Sequence, residues 1–275
     1  MAKKDHSAKR RSLRITLEVT GGVSLLAMQF LMQSPPPATF GFAPETPTLQ
    51  RFCAPFGDHR QVQLQDGSVI QLNSAACVTT ELSDRVRLVG LDQGEAIFVV
   101  ASDPSRPFVV NTGSISMRAL GTQFDVYRKG ISTRVAVIEG AVQVASPNMT
   151  SHTKVEPLTA LEQLDFPDDT TQPMVSSITS RDFARMTAWT HGDIELDNQT
   201  LKEALDEFTR YRHIEIVFKD KGIEGIRFAS YFHTNGLDSF VALLKLRCIH
   251  YEYDKAGQRL TLSTEAGKRA GTSCQ

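Results

Sequence analysis

The side chains that most often do chemistry are scattered through this chain. Its seven histidines are His6, His59, His152, His191, His213, His233 and His250. None shows the HExxH or HxH spacing that places two imidazoles on one metal, so no metal site is expected. Ser68 and Ser114 sit in turn-like contexts without the strand–turn–helix elbow that activates a serine. Asp66, Asp84, Asp92 and Glu95 could supply the carboxylate pair of a glycosidase or lyase. Asp66, however, is accounted for by a turn, and Glu95 beside Gly94 reads as a surface residue. No GxxxxGK or GxGxxG loop is present to cradle a phosphate. The four cysteines, Cys53, Cys77, Cys248 and Cys274, contain no CxxC pair, which argues against a zinc or thioredoxin-like site. Cys53 and Cys77 either pair or remain two buried thiols, and Cys274 in the tail reads as unpaired. The expectation is a protein that is not an enzyme and needs no cofactor.

Binding to another protein is the remaining kind of chemistry. It requires an open sheet edge or an exposed apolar patch. The edge candidate is the strand around Ile226–Phe232, with Arg227, Phe228, Tyr231 and Phe232. The patch candidate is a short helix carrying Leu237, Phe240, Leu243 and Leu244. Trp189, before a Gly-Asp turn, is a further candidate contact. For the helix and for Trp189 the plain alternative is core packing. Arg210 and Tyr211 at a helix end divide the same way, and Arg210 also suits the negative end of the helix dipole.

The elements that must position these residues fall into blocks. The 275-residue chain has a formal net charge of -1, which gives no reason to expect a nucleic-acid partner. Its charge is uneven. Residues 1–12 read as a short basic cytoplasmic tail. An apolar stretch at 13–33 follows, the length of one transmembrane helix, with Arg14 and Glu18 as its weak points. A cleaved signal peptide is the alternative, although Ala38-Thr39-Phe40 is a poor cleavage site. Residues 34–50 hold five prolines and read as an extended linker.

Residues 51–166 read as strand after strand with turn residues between them. Asp66-Gly67 between two β-rich runs predicts a hairpin with a tight type I′ turn. Gly67, Gly94, Gly121 and Gly140 mark breaks between strands where positive φ is expected. The expected fold is an all-β domain, solenoid-like or sandwich-like. Residues 167–182 read as a linker. Residues 183–264 alternate strands and helices, with a capping box at Thr200-x-x-Glu203, and predict a small split βαβ-type α+β domain. Residues 265–275 read as a disordered tail.

Several short motifs in this order resemble the FecR family. They are Asp66-Gly67-Ser68 with Leu72-Asn73; Gly94-Glu95-Ala96 with Phe98 and Val100; Arg106-Pro107-Phe108 with Val109-Val110; Leu120-Gly121-Thr122 with Phe124 and Val126; and Glu139-Gly140 with Val142. Trp189, Gly192, Leu201 and Arg210-Tyr211 resemble the family's C-terminal part, which is similar to the short N-terminal signalling module of secretins and TonB-dependent receptors. Members often have glycine where this chain has Leu161, which implies a different turn there. The resemblance implies a single-pass inner-membrane sensor with an anti-sigma-type role and its bulk in the periplasm. Such a protein binds the signalling domain of an outer-membrane TonB-dependent receptor and relays the signal to an ECF sigma factor, often for iron-transport genes. In members the sigma factor is held by several dozen cytoplasmic residues, against about 12 residues ahead of the apolar stretch here. The competing reading is a periplasmic β-rich scaffold module with no sigma partner.

Overall fold

The structure, a computed structural model, describes residues 49–113, 115–147, 156–167 and 173–264. The basic tail, the spanning segment and the C-terminal tail expected from the sequence lie outside the described residues, as do Ser114, Cys274 and nearly all of the Pro-rich linker. Among the described residues no helix is long and apolar enough to cross a membrane.

The first domain is built from strands β1 (Leu49–Cys53), β2 (Arg60–Gln63), β3 (Val69–Leu72), β4 (Cys77–Leu82), β5 (Arg87–Val99), β6 (Phe108–Thr112), β7 (Ile115–Ala119), β8 (Gln123–Lys129), β9 (Ser132–Glu139), β10 (Ala141–Ala145), β11 (Leu158–Thr159), β12 (Glu162–Pro167) and β13 (Met174–Ser177). One strand organises them. The first half of β5 pairs with β4 and, in parallel, with β6; its second half pairs with β3 and β8. The first half belongs to the row β1-β4-β5-β6-β7-β10-β11 and the second to β2-β3-β5-β8-β9-β12-β13. The sheet therefore curls about β5 into a half-barrel around one apolar core. Phe98 packs on Phe124 and Phe108, with ring centroids 5.2 and 6.1 Å apart, across that core. All pairings except β5–β6 are antiparallel, which sets aside the solenoid alternative, whose stacked strands run parallel.

Four sequence expectations change here. The runs on either side of Gly94 are one strand, and Gly94 is a bend inside it at φ +84. A Cβ at Gly94 would lie 2.8 Å from both Cα and Cβ of Ala76, so the sheet's sharpest curl needs the missing side chain. The Asp66-Gly67 turn is a three-residue loop rather than a type I′ turn. Gly67 N–H donates to Leu64 C=O at 3.1 Å, Leu64 N–H donates to Ser68 C=O at 2.8 Å, and of the pair only Gly67 has positive φ. The Asp66 carboxylate is instead held by Ser68 and Arg87. Leu161 itself adopts the left-handed conformation at φ +64, so the turn keeps a glycine-like shape without glycine. Its N–H donates to Val137 C=O and its C=O accepts from Ile178 N–H, both at 2.9 Å, and these bonds hold it there. Finally, the linker expected at 167–182 contains β13, paired with β12, and the first turn of a helix.

Cys53 and Cys77 are opposite each other in the β1–β4 register and form a disulfide that ties the first strand to the sheet. Closing a loop of this size contributes about 3 kcal/mol by restricting the unfolded chain.

The second domain runs α1 (Ser180–Thr187), β14 (Asp193–Thr200), α2 (Leu201–Thr209), β15 (Glu215–Phe218), β16 (Arg227–His233), α3 (Leu237–Leu244), β17 (Ile249–Asp254) and β18 (Arg259–Thr264). The expected capping box opens α2. Thr200 accepts from Glu203 N–H at 3.2 Å, and Leu201, Ala204, Leu205 and Phe208 are buried as the pattern requires. The strand–helix order is as expected, but β18 does not close one sheet. It lies between β15, which is parallel to it, and β17, while β14 and β16 form a separate pair. Only the first turn of α1 falls within the expected linker; Thr179 and Asp182 form a second capping box there, and of the helix's eight residues only Met186 is buried.

Gly94→Ala should destabilise the β domain by about 2–4 kcal/mol, through left-handed strain and the contact with Ala76. Equilibrium denaturation checks this; a loss below the error of the fit would place the bend elsewhere.

Candidate functional site: an ionic junction between the two domains

Residues alternate across the curled sheet, so Ala96 and Phe98 enter the core while Glu95 and Ile97 face away from it. Glu95 is level with Tyr127 on β8, and Tyr127 with Arg134 on β9. The next row is Ile97, Asp125 and Ala136. An outward-facing row would ordinarily be wet, yet Glu95, Ile97, Asp125 and Ala136 are buried. The expectation that Glu95 is a surface residue is therefore corrected. Its cover is the end of α2 and the residues just after it.

Glu95 collects donors from both domains. Arg134 Nη2 donates to Oε1 at 3.0 Å and Asn73 Nδ2 to Oε2 at 2.7 Å. Arg210, at the C-terminal end of α2, donates through Nη2 to Oε2. Arg210 Nη1 also donates to Glu207 at 2.9 Å, and both Arg210 and Arg134 lie over the Tyr127 ring, 4.6 and 5.2 Å from its centroid. The Arg210 backbone joins in, because Ser74 Oγ donates to its C=O at 2.5 Å and accepts from Gly57 N–H at 2.9 Å. Phe56 stacks on His213 with ring centroids 3.7 Å apart. The Tyr211 hydroxyl engages Asn73, and burial pushes its pKa up to about 12. Arg210 therefore does more than meet the helix dipole; it crosses between domains. Burial acts to lower its pKa, but Glu95 and Glu207 hold it well above the ordinary arginine value.

Asp125 is in a different situation. Arg134 Nη2 is 3.6 Å away, and neither carboxylate oxygen has a hydrogen-bond donor among the described residues. Burial first, then the negative charge of Glu95, raises its pKa well above the usual carboxylate value, against the pull of Arg134. Beside the junction lies a cleft of about 450 Å³, lined by Glu95 and Arg134 from one domain and by Arg185, Trp189, Glu207 and Arg210 from the other.

Residues 52–143 match the family model described as FecR protein. The β-rich domain is a FecR domain. Two crystal structures of a proposed anti-sigma factor from Parabacteroides distasonis are similar to this chain over most of its length. The first, at 2.50 Å resolution, is 25% identical with a TM-score of 0.63 and covers 79% of this chain and 99% of its own. The second, at 1.65 Å, is 24% identical with the same TM-score and covers 78% and 98%. No curated protein sequence matches the chain.

Most motif residues wire the FecR domain internally. The fully buried Arg87 is their hub, and no motif pointed to it. Its Nη1 donates to Asp66 at 2.8 Å and to Ala101 C=O at 2.9 Å; its Nε donates to Arg106 C=O and its N–H to Pro107 C=O, both at 3.0 Å; its guanidinium lies over Phe108. Arg106 itself pairs with Asp103 at 2.7 Å. Gly140 is the point where the chain leaves one face of the curl for the other; a Cβ there would meet Thr122 at 2.8 Å and the Gly121 carbonyl at 3.0 Å. Glu95 and Asn73 are the motif residues of the FecR domain that reach beyond it, to Arg210 and Tyr211.

Of the candidate partner contacts, Trp189, Phe228, Phe232, Leu237, Phe240 and Leu244 are buried. Phe228, Phe232 and Phe240 pack ring to ring with centroids 5.4 Å apart. Phe228, Phe232, Leu237, Phe240 and Leu244 lie in the core of the second domain, the alternative given for the helix, while Trp189 is buried outside that core and lines the cleft. Arg227 and Tyr231 remain exposed on β16, which pairs with β14 on one side only. Among the described residues no group of three or more His, Cys, Asp or Glu is arranged to hold a metal. Sequence reasoning missed Asp125, Tyr127 and Arg134, whose alternation with core residues was the available signal.

Because the folded state raises the Asp125 pKa, it binds a proton that the unfolded chain releases above about pH 4, so this group destabilises the fold as pH rises through its folded value. Asp125→Asn should melt higher than the parent at pH 7–8, with the difference shrinking toward pH 4. A variant that melts lower than the parent at pH 8 would mean that Asp125 is an anion held by Arg134.

Proposed function

We propose that this chain is a FecR-like regulator that works by binding other proteins. The observation that carries this reading is the combination of the FecR match at 52–143 with a likeness to the P. distasonis protein that covers 79% of the chain and so extends into the second domain. In the full form of the proposal, residues 13–33 anchor the chain in the inner membrane and both folded domains lie in the periplasm. There they meet the signalling domain of an outer-membrane TonB-dependent receptor, and the signal passes inward to an ECF sigma factor, for genes of iron transport. The Cys53–Cys77 disulfide supports an oxidising compartment. The basic flank at 1–14 supports a cytoplasmic N-terminus. Asp66 and Glu95 are occupied by arginine contacts, which favours binding over hydrolysis.

The receptor is proposed to dock by strand addition along β16, whose exposed side chains include Arg227 and Tyr231. Ala229 lies in the stretch where the β14–β16 register shifts, so a proline there leaves the existing ladder largely intact. A correctly folded Ala229→Pro variant should bind the receptor's signalling domain at least tenfold more weakly in calorimetry, and unchanged affinity would dispose of strand addition at this edge. Alkaline phosphatase fused after residue 264 of the full chain should be active in cells. An inactive fusion, with a cytoplasmic reporter active at the same point, would overturn the topology.

A further inference from the structure

The FecR domain and the second domain have separate cores. The 26 buried apolar residues of the first cluster and the 16 of the second share no member. Among the groups that join the domains at the junction, the polar ones dominate: Glu95 with Arg210, Ser74 with the Arg210 carbonyl, and Asn73 with Tyr211, with the Phe56–His213 stack beside them. Ile97 and Ala136 lie on the covered face too, but the contacts named across it are mainly polar, and domains joined through such a surface move relative to one another by default. The junction is also lopsided. All three contacts to Glu95, Ser74 and Asn73 come from two consecutive residues, Arg210 and Tyr211, at the end of one helix. On the FecR side, Glu95 keeps Arg134 and Asn73 whether or not Arg210 is present. On the other side, Arg210 keeps Glu207. Each half of the pair therefore retains a partner of opposite charge or a donor when the pair is broken, so opening leaves no isolated buried charge.

We propose that Arg210 and Glu95 form a releasable latch, through which movement of α2 in the second domain is transmitted to strand β5 of the FecR domain. Closed, Arg210 lies across Tyr127 and fixes the two domains in one orientation. Open, the row Glu95–Tyr127–Arg134 is uncovered. The latch does not depend on which receptor or sigma factor is involved, so it can fail while the proposed function stands, and the reverse.

The test uses the full chain in detergent, with spin labels at the exposed Arg118 and Lys221, one in each domain, and pulsed electron-spin distance measurement. The parent should give one narrow distance. Arg210→Ala and Glu95→Gln should broaden it or move it to longer values, while circular dichroism shows both domains still folded and the thermal transition splits in two. Ser74→Ala, which removes the backbone half of the junction and leaves the charges, should give a smaller broadening and covers the case in which the first variants fail to fold. The latch is overturned if all three variants keep the narrow parental distance. It is equally overturned if they, Ser74→Ala included, unfold in a single step, since the junction would then be part of the fold itself.

Discussion

A carboxylate removed from water must be matched by charge and donors or take up a proton. Glu95 meets that demand with Arg134, Asn73 and Arg210, and Asp125, one row away on the same face, does not. The contrast explains much of the structure. Three donors surround Glu95, and one of the three comes from another domain. The bend at Gly94 matters for the same reason, because it aims the residue that follows it at that domain.

Strand β5 carries two charged residues that are almost fully buried, Arg87 at its start and Glu95 just past its bend. Arg87 closes the FecR domain on itself by drawing together the 66–68 turn, the 101 backbone and the 106–108 strand. Glu95 opens the domain outward. A single continuous strand thus connects the internal wiring to the interdomain contact, and a stiff, doubly paired strand is suited to couple the two.

Strand β16, helix α3 and Trp189 offered candidate partner contacts, with core packing as the alternative for the helix and for Trp189. The second domain's apolar residues instead fill its own core, as the size of the domain requires. With three short helices and five short strands there is little apolar area to spare, and Phe208, Phe228, Phe232 and Phe240 are all consumed in one aromatic cluster. On β16 the side chains left exposed include Arg227 and Tyr231.

Local features were legible in the sequence. The Thr200 capping box, the buried face of α2, the turn positions of Gly67 and Gly140, and the strand–helix order of the second domain all depend on neighbours within a few residues, where propensity and periodicity act. The FecR motifs were legible because their residues are needed for local turns and close backbone approaches. What separated sequence from structure was distance along the chain. Arg87 reads as one more residue of an alternating strand, and only folding places it against Asp66 and Phe108. Glu95 and Arg210 stand 115 residues apart, and each has an adequate local explanation, a turn neighbour and a helix-end cation. Their meeting depends on how two separately folded cores pack, and no short-range pattern encodes that packing.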